Sequence, residues 1–434
     1  ISAVLEWPIK AVQWVLHVLP WAVSMFLFCV AAYVASGWRL TAFTLVASLY
    51  MLVIGYWDES MNTLSLVAIS VPLAVIIGFS FGVWGFFSKR AERVIMPMLD
   101  ILQTVPAFAY LLPILMLFGF GTVAGLIASI LYSFPPMVRN TIIGLRGVSS
   151  EVIESGIMAG ATPKQLFWQV RVPSSQRQLL LGVNQATMAS LSMVIIASII
   201  GGTADIGWEV LSTIRKAQFG ESLLAGMVIA LMAMVIDRIT FGLANRPGAY
   251  SVANETFAQR YRLWFIAALG AVAFYIMAQF FSILIDWPRA LEVNPAGAMN
   301  ESLTYLVVNF RDQIEAIKTF AFFFVMLPTK IGLQGAVSPF TWRFELTLIH
   351  KTGYALAMIA IAALCTKRWN AQFGIAILLF AIFYYFGLTG MPWPALLLIY
   401  SVIGWKVGGP YLGLGTLLGL GFIVVSGIWP QAML

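Results

Sequence analysis

The sequence predicts an all-α protein that crosses a membrane many times, and its composition is the first reason. Of the 434 residues, 61% are hydrophobic and 10% are charged, whereas a soluble domain is about 25% charged. A soluble chain of this size has too little interior to hold so much apolar surface. The composition therefore excludes a soluble enzyme, a nucleic-acid-binding domain and a disordered chain.

The second reason is the length of the apolar runs, which predict about 10–13 spans, since a spanning helix needs roughly 20 apolar residues. Residues 1–20 instead place Lys10 and His17 among tryptophans, which predicts an amphipathic helix in the membrane interface. The candidate spans are 21–36, 40–57, 62–87, 98–119, 122–138, 179–200, 222–242, 263–285, 354–366, 371–388, 391–405 and 411–429.

The third reason is the distribution of charge, with 25 basic against 18 acidic residues and a net charge of +7. Basic residues favour the cytoplasmic ends of spans. Alternating the spans places nearly all of them on one side, which is then the cytoplasm, and places residues 286–350 outside. Arg215 and Lys216 are exceptions that fall outside. The largest basic group lies in one polar loop between two spans: Arg139, Arg146, Lys164, Arg171 and Arg177.

A weak internal repeat relates residues 44–61 to residues 416–433 at a constant offset, which pairs Thr44 with Thr416. Glycine and tryptophan recur within it, and both segments run from inside to outside under the same alternation. A parallel repeat is therefore predicted. The alternative is a coincidence between two Leu- and Gly-rich helices. The paired identities are Thr44/Thr416, Leu45/Leu417, Gly55/Gly427, Trp57/Trp429 and Met61/Met433.

The polar loop between spans predicts two short helices joined at a glycine. Gly160 supplies a position where φ can turn positive and end the first helix. Thr162 then serves as N-cap and Pro163 as the first residue of a second helix, which Pro173 is expected to end. Such a rigid knob is suited to docking on another protein. The residues expected to form the docking loop are Glu151, Glu154, Gly160, Thr162, Pro163, Phe167 and Pro173.

The spacing of Glu154, Gly160 and Pro173 resembles the EAA loop of binding-protein-dependent ABC importer permeases. Ser155 and Gly156 replace the alanines that usually follow the glutamate in that family. Both replacements are small, so close packing is expected to survive. The resemblance implies that the loop docks on a cytoplasmic ATPase, which binds the ATP and Mg²⁺, so that this chain needs no cofactor and has no catalytic site.

Further segments look like the glycine betaine/proline betaine branch of these permeases: residues 99–108, 112–119 and 182–198. That branch implies a MetI-like core of five helices, a second permease unit and an extracytoplasmic solute-binding protein. It also implies a bacterial plasma membrane and a small osmolyte as solute. Glycine betaine is the first expectation, followed by proline betaine, choline, carnitine and trimethylamine N-oxide.

The length of the chain departs from the simplest family pattern and indicates a fused or enlarged member. We expect an interfacial helix at 1–20, two peripheral spans at 21–61 and a permease core at 62–245 with its coupling loop at 146–177. Residues 246–350 are expected to form a connecting span and an extracytoplasmic segment. Residues 351–434 are expected to begin a second permease-like unit and to stop before it is complete.

Polar and methionine side chains inside the predicted core are candidates for the translocation pathway or its gate. Pro106 frees a backbone carbonyl that nearby polar groups can satisfy. The alternative is that these side chains join helices to each other, as polar residues in membranes often do. The candidates are Gln103, Thr104, Pro106, Asn184, Gln185, Met188, Ser192 and Met193.

Other sites and other classes of transporter receive less support. The tryptophans predict interfacial belts more readily than a cage for a quaternary ammonium ion. Neither His17 nor His350 is assigned a metal, and no nucleic-acid partner is expected beside the membrane lipid. An ion-coupled secondary transporter remains the alternative, although its ionisable groups normally lie near the middle of the bilayer. The chain has no phosphate-binding GxxxxGK[ST] sequence, so it is not itself the motor.

Overall fold

The computed structural model describes residues 2–201, 205–245, 257–322, 326, 348–368, 371–382 and 393–432. Within these ranges every regular element is helical, which confirms the all-α class. The chain forms two compact units, Ile1–Leu303 and Thr304–Leu434, and each is described by itself.

The first unit contains a peripheral group of helices, a central bundle and a cluster of short helices in the polar loop. Its helices are α1 (Ser2–Val18), α2 (Trp21–Ser36), α3 (Trp38–Ile54), α4 (Trp57–Phe87), α5 (Lys89–Thr104), α6 (Ala107–Phe118), α7 (Thr122–Arg146), α8 (Ser150–Met158), α9 (Pro163–Gln165), a π-helix (Leu166–Arg171), α10 (Val172–Ser174), α11 (Gln176–Gly201), α12 (Ile206–Arg215), α13 (Phe219–Ala244), α14 (Phe257–Phe280) and most of α15 (Ala296–Asn309).

Helices α4, α7 and α11 form the centre of this unit, and glycines allow two of them to touch through their backbones. A Cβ atom built on Gly78 would lie 2.6 Å from the Cβ of Met137. One built on Gly82 would lie 2.5 Å from the Cβ of Thr141. Small residues of this kind drive helix association where the lipid is as apolar as the side chains.

Apolar side chains from five helices complete the core around this contact. Helices α12 and α13 pack against α4 and α11. In a soluble protein, removing one such side chain from water stabilises the fold by about 1.5–3 kcal/mol. In a membrane the lipid is equally apolar, so close packing stabilises the bundle mainly through van der Waals contacts. The core residues are Leu66, Leu126, Leu191, Val194, Ile206 and Val228, each at most 2% exposed.

The number of spans is lower among the described residues than the sequence predicts. Five helices are long and apolar enough to cross a membrane, or seven if each of two bent pairs counts as one span. Three further apolar helical segments of 10–17 residues are Trp38–Ile54, Phe265–Phe280 and Thr352–Lys367. The count of 10–13 spans for the whole chain stays a prediction, since the run 371–388 lies partly outside the described residues.

The predicted span 98–119 is wrong as a single helix. Helices α5 and α6 meet at 94° across Val105 and Pro106. Pro106 has no N–H to continue the hydrogen bonds of α5, and the residue before a proline is pushed out of the helical region. Val105 accordingly has an extended backbone with ψ of 127°.

The amino-terminal segment is helical, as predicted, and it packs against the core. Helix α1 meets α2 at 105°. Ile9 is only 1% exposed and belongs to the central apolar cluster. Gln13 donates a hydrogen bond of 2.6 Å to Asn62 in α4. An interfacial position for α1 stays a prediction.

The second unit contains the end of α15 and five further helices within the described residues. These are α16 (Arg311–Ala321), α17 (Leu348–Arg368), α18 (Ala371–Ile382), α19 (Trp393–Val425) and α20 (Trp429–Ala432). Helix α19 is broken at Gly408 and Gly409, so it has two arms, which lie within the predicted runs 391–405 and 411–429 over most of their length. Within the predicted outer segment 286–350, residues 323–325 and 327–347 lie outside the described residues.

The repeat predicted from the sequence is also present in the backbone conformation. There it begins earlier in the chain than the matching residues 44–61 and 416–433. Gly55 has φ of +82° and donates to the carbonyl of Leu52 at 3.1 Å. Gly427, at the equivalent position, has φ of +73° and donates to Val424 at 3.2 Å. Upstream, Gly37 and Gly409 occupy equivalent positions with φ of +79° and +81°. Helices α2 and α3 of the first unit are therefore repeated by the two arms of α19.

Candidate functional site

The first helix of the polar loop ends at Gly160, as the sequence predicts. Gly160 has φ of +77°, a conformation that costs other L-residues roughly 1–2 kcal/mol. Its N–H donates to the carbonyl of Ile157 at 2.9 Å, and the N–H of Ala161 donates to that of Gly156 at 3.1 Å. These two bonds form a Schellman motif, which closes the helix and fixes the direction in which the chain leaves it.

The second helix begins at the predicted cap. The side-chain oxygen of Thr162 accepts from the N–H of Gln165 at 3.4 Å, while the N–H of Thr162 donates to Oε1 of Gln165 at 2.9 Å. Pro163 occupies the first helical position, where a missing N–H costs nothing. The capping box is thus confirmed.

The predicted end of this helix at Pro173 is wrong. Helical backbone continues through Ser174, and the turn comes at Ser175. The π-helix Leu166–Arg171 makes room for the proline. Just before Pro173, the N–H of Val172 donates to the carbonyl of Phe167, five residues earlier, instead of the usual four. Pro173 follows within the same helical run, and it shares an exposed turn with Ser174.

The two helices of the loop touch at Gly156, one of the positions where the family usually has alanine. A Cβ atom on Gly156 would lie 2.9 Å from Cδ1 of Leu166 and 3.2 Å from Cγ2 of Val170. Both neighbours are flexible ends of side chains. The small residue at position 156 therefore permits the close packing that the sequence predicts.

An aromatic cluster fastens the loop to the end of α4. Phe167 is 6% exposed, and its ring centroid lies 5.1 Å from that of Phe87 and 6.4 Å from that of Phe86. The guanidinium carbon of Arg171 lies 5.2 Å from the Phe86 ring centroid, and Arg171 also donates to the carbonyl of Leu145 at 3.3 Å. The loop is thus attached to the ends of both α4 and α7, so that a force on it reaches the central bundle.

The opposite face of the loop is exposed and has a mixed chemical character. Glu151 and Glu154 are exposed on α8. Ile157 and Met158 beside them are 56% and 90% exposed. Single exposed apolar residues are normal, but a group on a short rigid helix beside acidic residues fits a contact with another protein.

Two of the candidate pathway residues lie inside the bundle. Asn184 is 8% exposed and donates to Oδ1 of Asp237 at 3.0 Å and to Oγ1 of Thr240 at 2.8 Å. Met193 is fully buried in an apolar cluster that includes Leu111. Asn184 thus joins α11 to α13, and Met193 packs α11 against α6.

Gln185 takes part in a polar chain that sequence reasoning missed. Asn140 in α7 donates to Oε1 of Gln185 at 2.8 Å and accepts from Nε2 of Gln178 at 2.7 Å. Asn140 also bonds to the carbonyl of Pro136, four residues earlier. The sequence carried no local signal for this link, because the register of α7 against α11 decides which side chains meet.

The remaining pathway candidates line surfaces of this chain. Thr104 and Ser192 are exposed, and each hydroxyl bonds to a carbonyl of its own helix, at 3.2 Å and 3.0 Å. Met188 is half-buried. Gln103 and Pro106 are exposed at the bend between α5 and α6. A role of these residues in translocation stays a prediction.

Two ion pairs between α5 and α7 were also missed, because they join residues far apart in the sequence. Arg146 donates two hydrogen bonds to Glu92, at 2.6 Å and 2.5 Å. Arg139 donates one to Asp100 at 2.5 Å. The first pair lies where α7 runs into the polar loop, so it helps to hold the start of that loop.

Comparison with known proteins agrees with this geometry. Residues 70–246, which contain the central bundle and the loop, match the model of the family described as "binding-protein-dependent transport system inner membrane component". This confirms the resemblance that the loop spacing predicts.

Several relatives carry permease names. A trimethylamine N-oxide transport system permease protein of Pelagibacter ubique is 34% identical over 320 residues, which are 72% of this chain and 44% of that protein. A glycine betaine/proline betaine permease of Escherichia coli is 37% identical over 54% of this chain and 66% of its own length. A glycine betaine permease of Bacillus subtilis is 35% identical over 51% of this chain and 78% of its length.

The chain thus spans less than half of the first relative and about two thirds of the second. It covers 78% of the length of the third relative. The chain therefore belongs to the family of inner-membrane components of binding-protein-dependent transport systems.

Proposed function

We propose that this chain is the membrane permease of an ABC importer that takes up small zwitterionic or quaternary ammonium osmolytes across the bacterial inner membrane. The observation that carries the proposal is the polar loop. It is stiffened by a Schellman motif and a capping box, fastened to α4 and α7, and exposed on its other face. Relatives named as betaine and trimethylamine N-oxide permeases support the solute class.

The proposed mechanism is alternating access driven by a partner ATPase. ATP binding closes two ATPase subunits, each of which holds a loop such as Ser150–Ser174. Because Phe167 and Arg171 attach this loop to α4 and α7, a movement of the loop displaces the bundle. The cavity between two permease units then opens towards a docked binding protein, and a second copy or a second half of the protein supplies the other wall.

Gly160 provides the sharpest test of the coupling. A Cβ atom there would meet no atom of this chain, so within the chain a replacement acts through the positive φ. Gly160→Leu is expected to retain ATP hydrolysis in proteoliposomes with the ATPase and binding protein, while osmolyte uptake falls roughly tenfold, as a strain of about 1–2 kcal/mol would produce. Gly226→Leu is the matched control, since Gly226 also faces open space but has no positive φ. Unchanged uptake by Gly160→Leu would remove the coupling role.

An ion-coupled secondary transporter is the second candidate, and one experiment separates the two. In the described part of the chain, Asp205 at the start of α12 is buried, and Asp237 in α13 accepts a hydrogen bond from Asn184. Uptake that continues without the ATPase and collapses with a proton or sodium ionophore would favour the second candidate. Uptake that requires the ATPase, with solute bound by the co-purified binding protein, supports the importer.

A further inference from the structure

Helix α5 is a rigid segment between two breaks in the helical backbone. At its start, Ser88 has an extended backbone with φ of −127° and ψ of 108°, and its hydroxyl accepts from the N–H of Ala91 at 3.3 Å. At its end, the chain bends by 94° across Val105 and Pro106. The 16 residues of α5 extend over roughly 24 Å. A rotation about the two breaks would therefore move α5 as one body.

Helix α5 packs on the bundle with one face, and its other face is exposed. Ile95 and Leu99 are buried in an apolar cluster that also contains Val138 of α7. Val94 and Ile101 lie on the opposite face and are exposed. Apolar contacts are non-directional, so they hold α5 against the bundle without fixing its position along α7.

Two ion pairs fix the register of α5 on α7. Arg146 donates to both carboxylate oxygens of Glu92, at 2.6 Å and 2.5 Å, and Arg139 donates to Asp100 at 2.5 Å. The two arginines are seven residues apart and the two carboxylates are eight apart, which separates the pairs by about 10–12 Å along the helices. Contacts this far apart oppose both sliding and pivoting of α5, and the bidentate pair also restricts its orientation.

Stability alone gives little reason for charge at this contact. The four side chains are 22–64% exposed, and ion pairs with such exposure contribute only about 0–1 kcal/mol. Neutral contacts hold α4 and α11 against α7, as at Gly82 and Asn140. The other ion pairs of lysine or arginine between described residues lie within single helices: Lys10 with Glu6 and Arg311 with Glu315.

One of the two pairs lies within the spanning part of α7. Arg146 is the last residue of α7, on the side that the charge distribution predicts to be cytoplasmic. Arg139 is seven residues earlier, about 10 Å along the helix, whereas half of the hydrocarbon core is about 15 Å thick. Charged side chains at such depth cost free energy, and they normally mark a functional position.

The polar loop is attached to α5 by two routes. Arg171 in the loop donates to the carbonyl directly before Arg146, at the end of α7. Phe167 in the loop contacts Phe87, the last residue of α4 before the break at which α5 begins. A displacement of the loop therefore acts on the start of α5 and on its ion-paired partner. Three pathway candidates lie at the other end of α5: Gln103, Thr104 and Pro106.

We propose that the two α5–α7 ion pairs are the link through which the polar loop moves α5 and the bend at Pro106. Glu92 and Asp100 are thus positioning residues, which act through the placement of α5. The pairs keep α5 in register with α7 when the loop is displaced, so that the bend follows. Without them α5 would slide on its apolar face. This inference rests on the importer function proposed above, since it names the route by which a partner ATPase moves the pathway.

The first test measures osmolyte uptake per ATP hydrolysed by the full chain in proteoliposomes with its ATPase and binding protein. Glu92→Gln with Asp100→Asn removes both ion pairs with little change in size. The ratio of uptake to hydrolysis is expected to fall roughly fivefold, within the range that changes along a coupling network produce. Hydrolysis and the thermal midpoint in detergent should stay close to those of the parent. A merely structural contact would instead lower the midpoint, and uptake and hydrolysis would fall together.

An exchange of charges tests whether pairing itself is the link. Glu92→Arg with Arg146→Glu restores one pair with reversed polarity and should recover most of the ratio that Glu92→Arg alone loses. Glu6→Gln is the matched control, because it breaks an exposed ion pair within one helix and should leave the ratio unchanged. The proposal is overturned if removal of both pairs leaves the parent's ratio, or if the exchanged pair transports no better than Glu92→Arg alone.

Spin labels follow the movement directly. In a chain with Cys29→Ser and Cys365→Ser, Met98→Cys on α5 and Ile143→Cys on α7 carry the labels at exposed positions. Paramagnetic resonance should give the same distance with and without bound ATP, because α5 follows α7. When both ion pairs are removed, ATP should change or broaden that distance. A distance that already changes with the ion pairs intact would contradict the link.

The parent chain separates failure of this link from failure of the importer function. If the parent takes up osmolyte without the ATPase, the proposed function fails, and the link fails with it. If uptake by the parent requires the ATPase but removal of both pairs leaves the ratio unchanged, the importer function stands and only the route through α5 is wrong.

Discussion

At the scale of single residues, the bundle is joined by polar side chains whose positions in the sequence give little indication of their partners. Asn184 was a candidate for the pathway because it is polar within an apolar run. Its amide instead bonds to Asp237 and Thr240 on α13. Hydrogen bonds of this kind connect helices in a membrane protein, with the carboxylate of Asp237 as the strongest acceptor.

Replacement of Asn184 by alanine is expected to destabilise the bundle. The change leaves the carboxylate of Asp237 without this donor, and such a loss costs about 1–3 kcal/mol. Thermal unfolding in detergent should show a lower midpoint for Asn184→Ala than for Asn245→Ala, whose amide bonds only to a carbonyl of its own helix and is exposed. Equal midpoints for the two variants would show that the link between α11 and α13 adds nothing to stability.

At the scale of helices, the ends and caps of helices could be predicted from the sequence, whereas the contacts between distant residues could not. The glycine that ends α8 and the threonine that caps α9 are read from a few neighbouring residues, because backbone φ and capping are local properties. The break at Pro106 was partly foreseeable, since a proline frees a carbonyl. The bend of 94° depends on how α6 packs against α7. The link from Asn140 to Gln185 depends on the register of two helices and has no local signature.

The contact between α4 and α7 yields a test of packing at this scale. Gly82→Ala would place a Cβ atom 2.5 Å from Cβ of Thr141 and 3.0 Å from the carbonyl oxygen of Val138, so the helices must move apart. We expect a loss of about 1–3 kcal/mol, the usual cost of overpacking. Gly226→Ala, in open space on α13, should be neutral or stabilising by up to about 1 kcal/mol through helix propensity. A midpoint for Gly82→Ala at or above that of Gly226→Ala would contradict the close approach.

At the scale of the whole molecule, the first unit separates two surfaces of different chemistry by the length of α4. The basic polar loop lies at one end, and a cavity whose lining includes Trp57, Asp58, Asp286 and Glu292 lies at the other. The distribution of basic residues predicts that the end with the loop is cytoplasmic. Glycines with positive φ at equivalent positions, Gly37 with Gly409 and Gly55 with Gly427, relate the peripheral helices α2 and α3 to the two arms of α19.

This polarity predicts opposite labelling of two engineered cysteines in intact cells. The parent would carry Cys29→Ser and Cys365→Ser, since both native thiols are free. Ser155→Cys on α8 and Ala290→Cys beside the cavity are exposed positions. A charged maleimide that cannot cross the inner membrane should react with Ala290→Cys once the outer membrane is permeabilised. It should react with Ser155→Cys only after the inner membrane is permeabilised as well.

Osmolyte uptake by each cysteine variant controls for correct insertion, because a misfolded chain would expose both positions and would not transport. Labelling of Ser155→Cys before permeabilisation, in a variant that still transports, would reverse the orientation. In that case the loop would face away from any cytoplasmic ATPase, and the proposed coupling would fail together with the predicted orientation. The opposite result places the docking loop on the side of the membrane where ATP is found, as an importer requires.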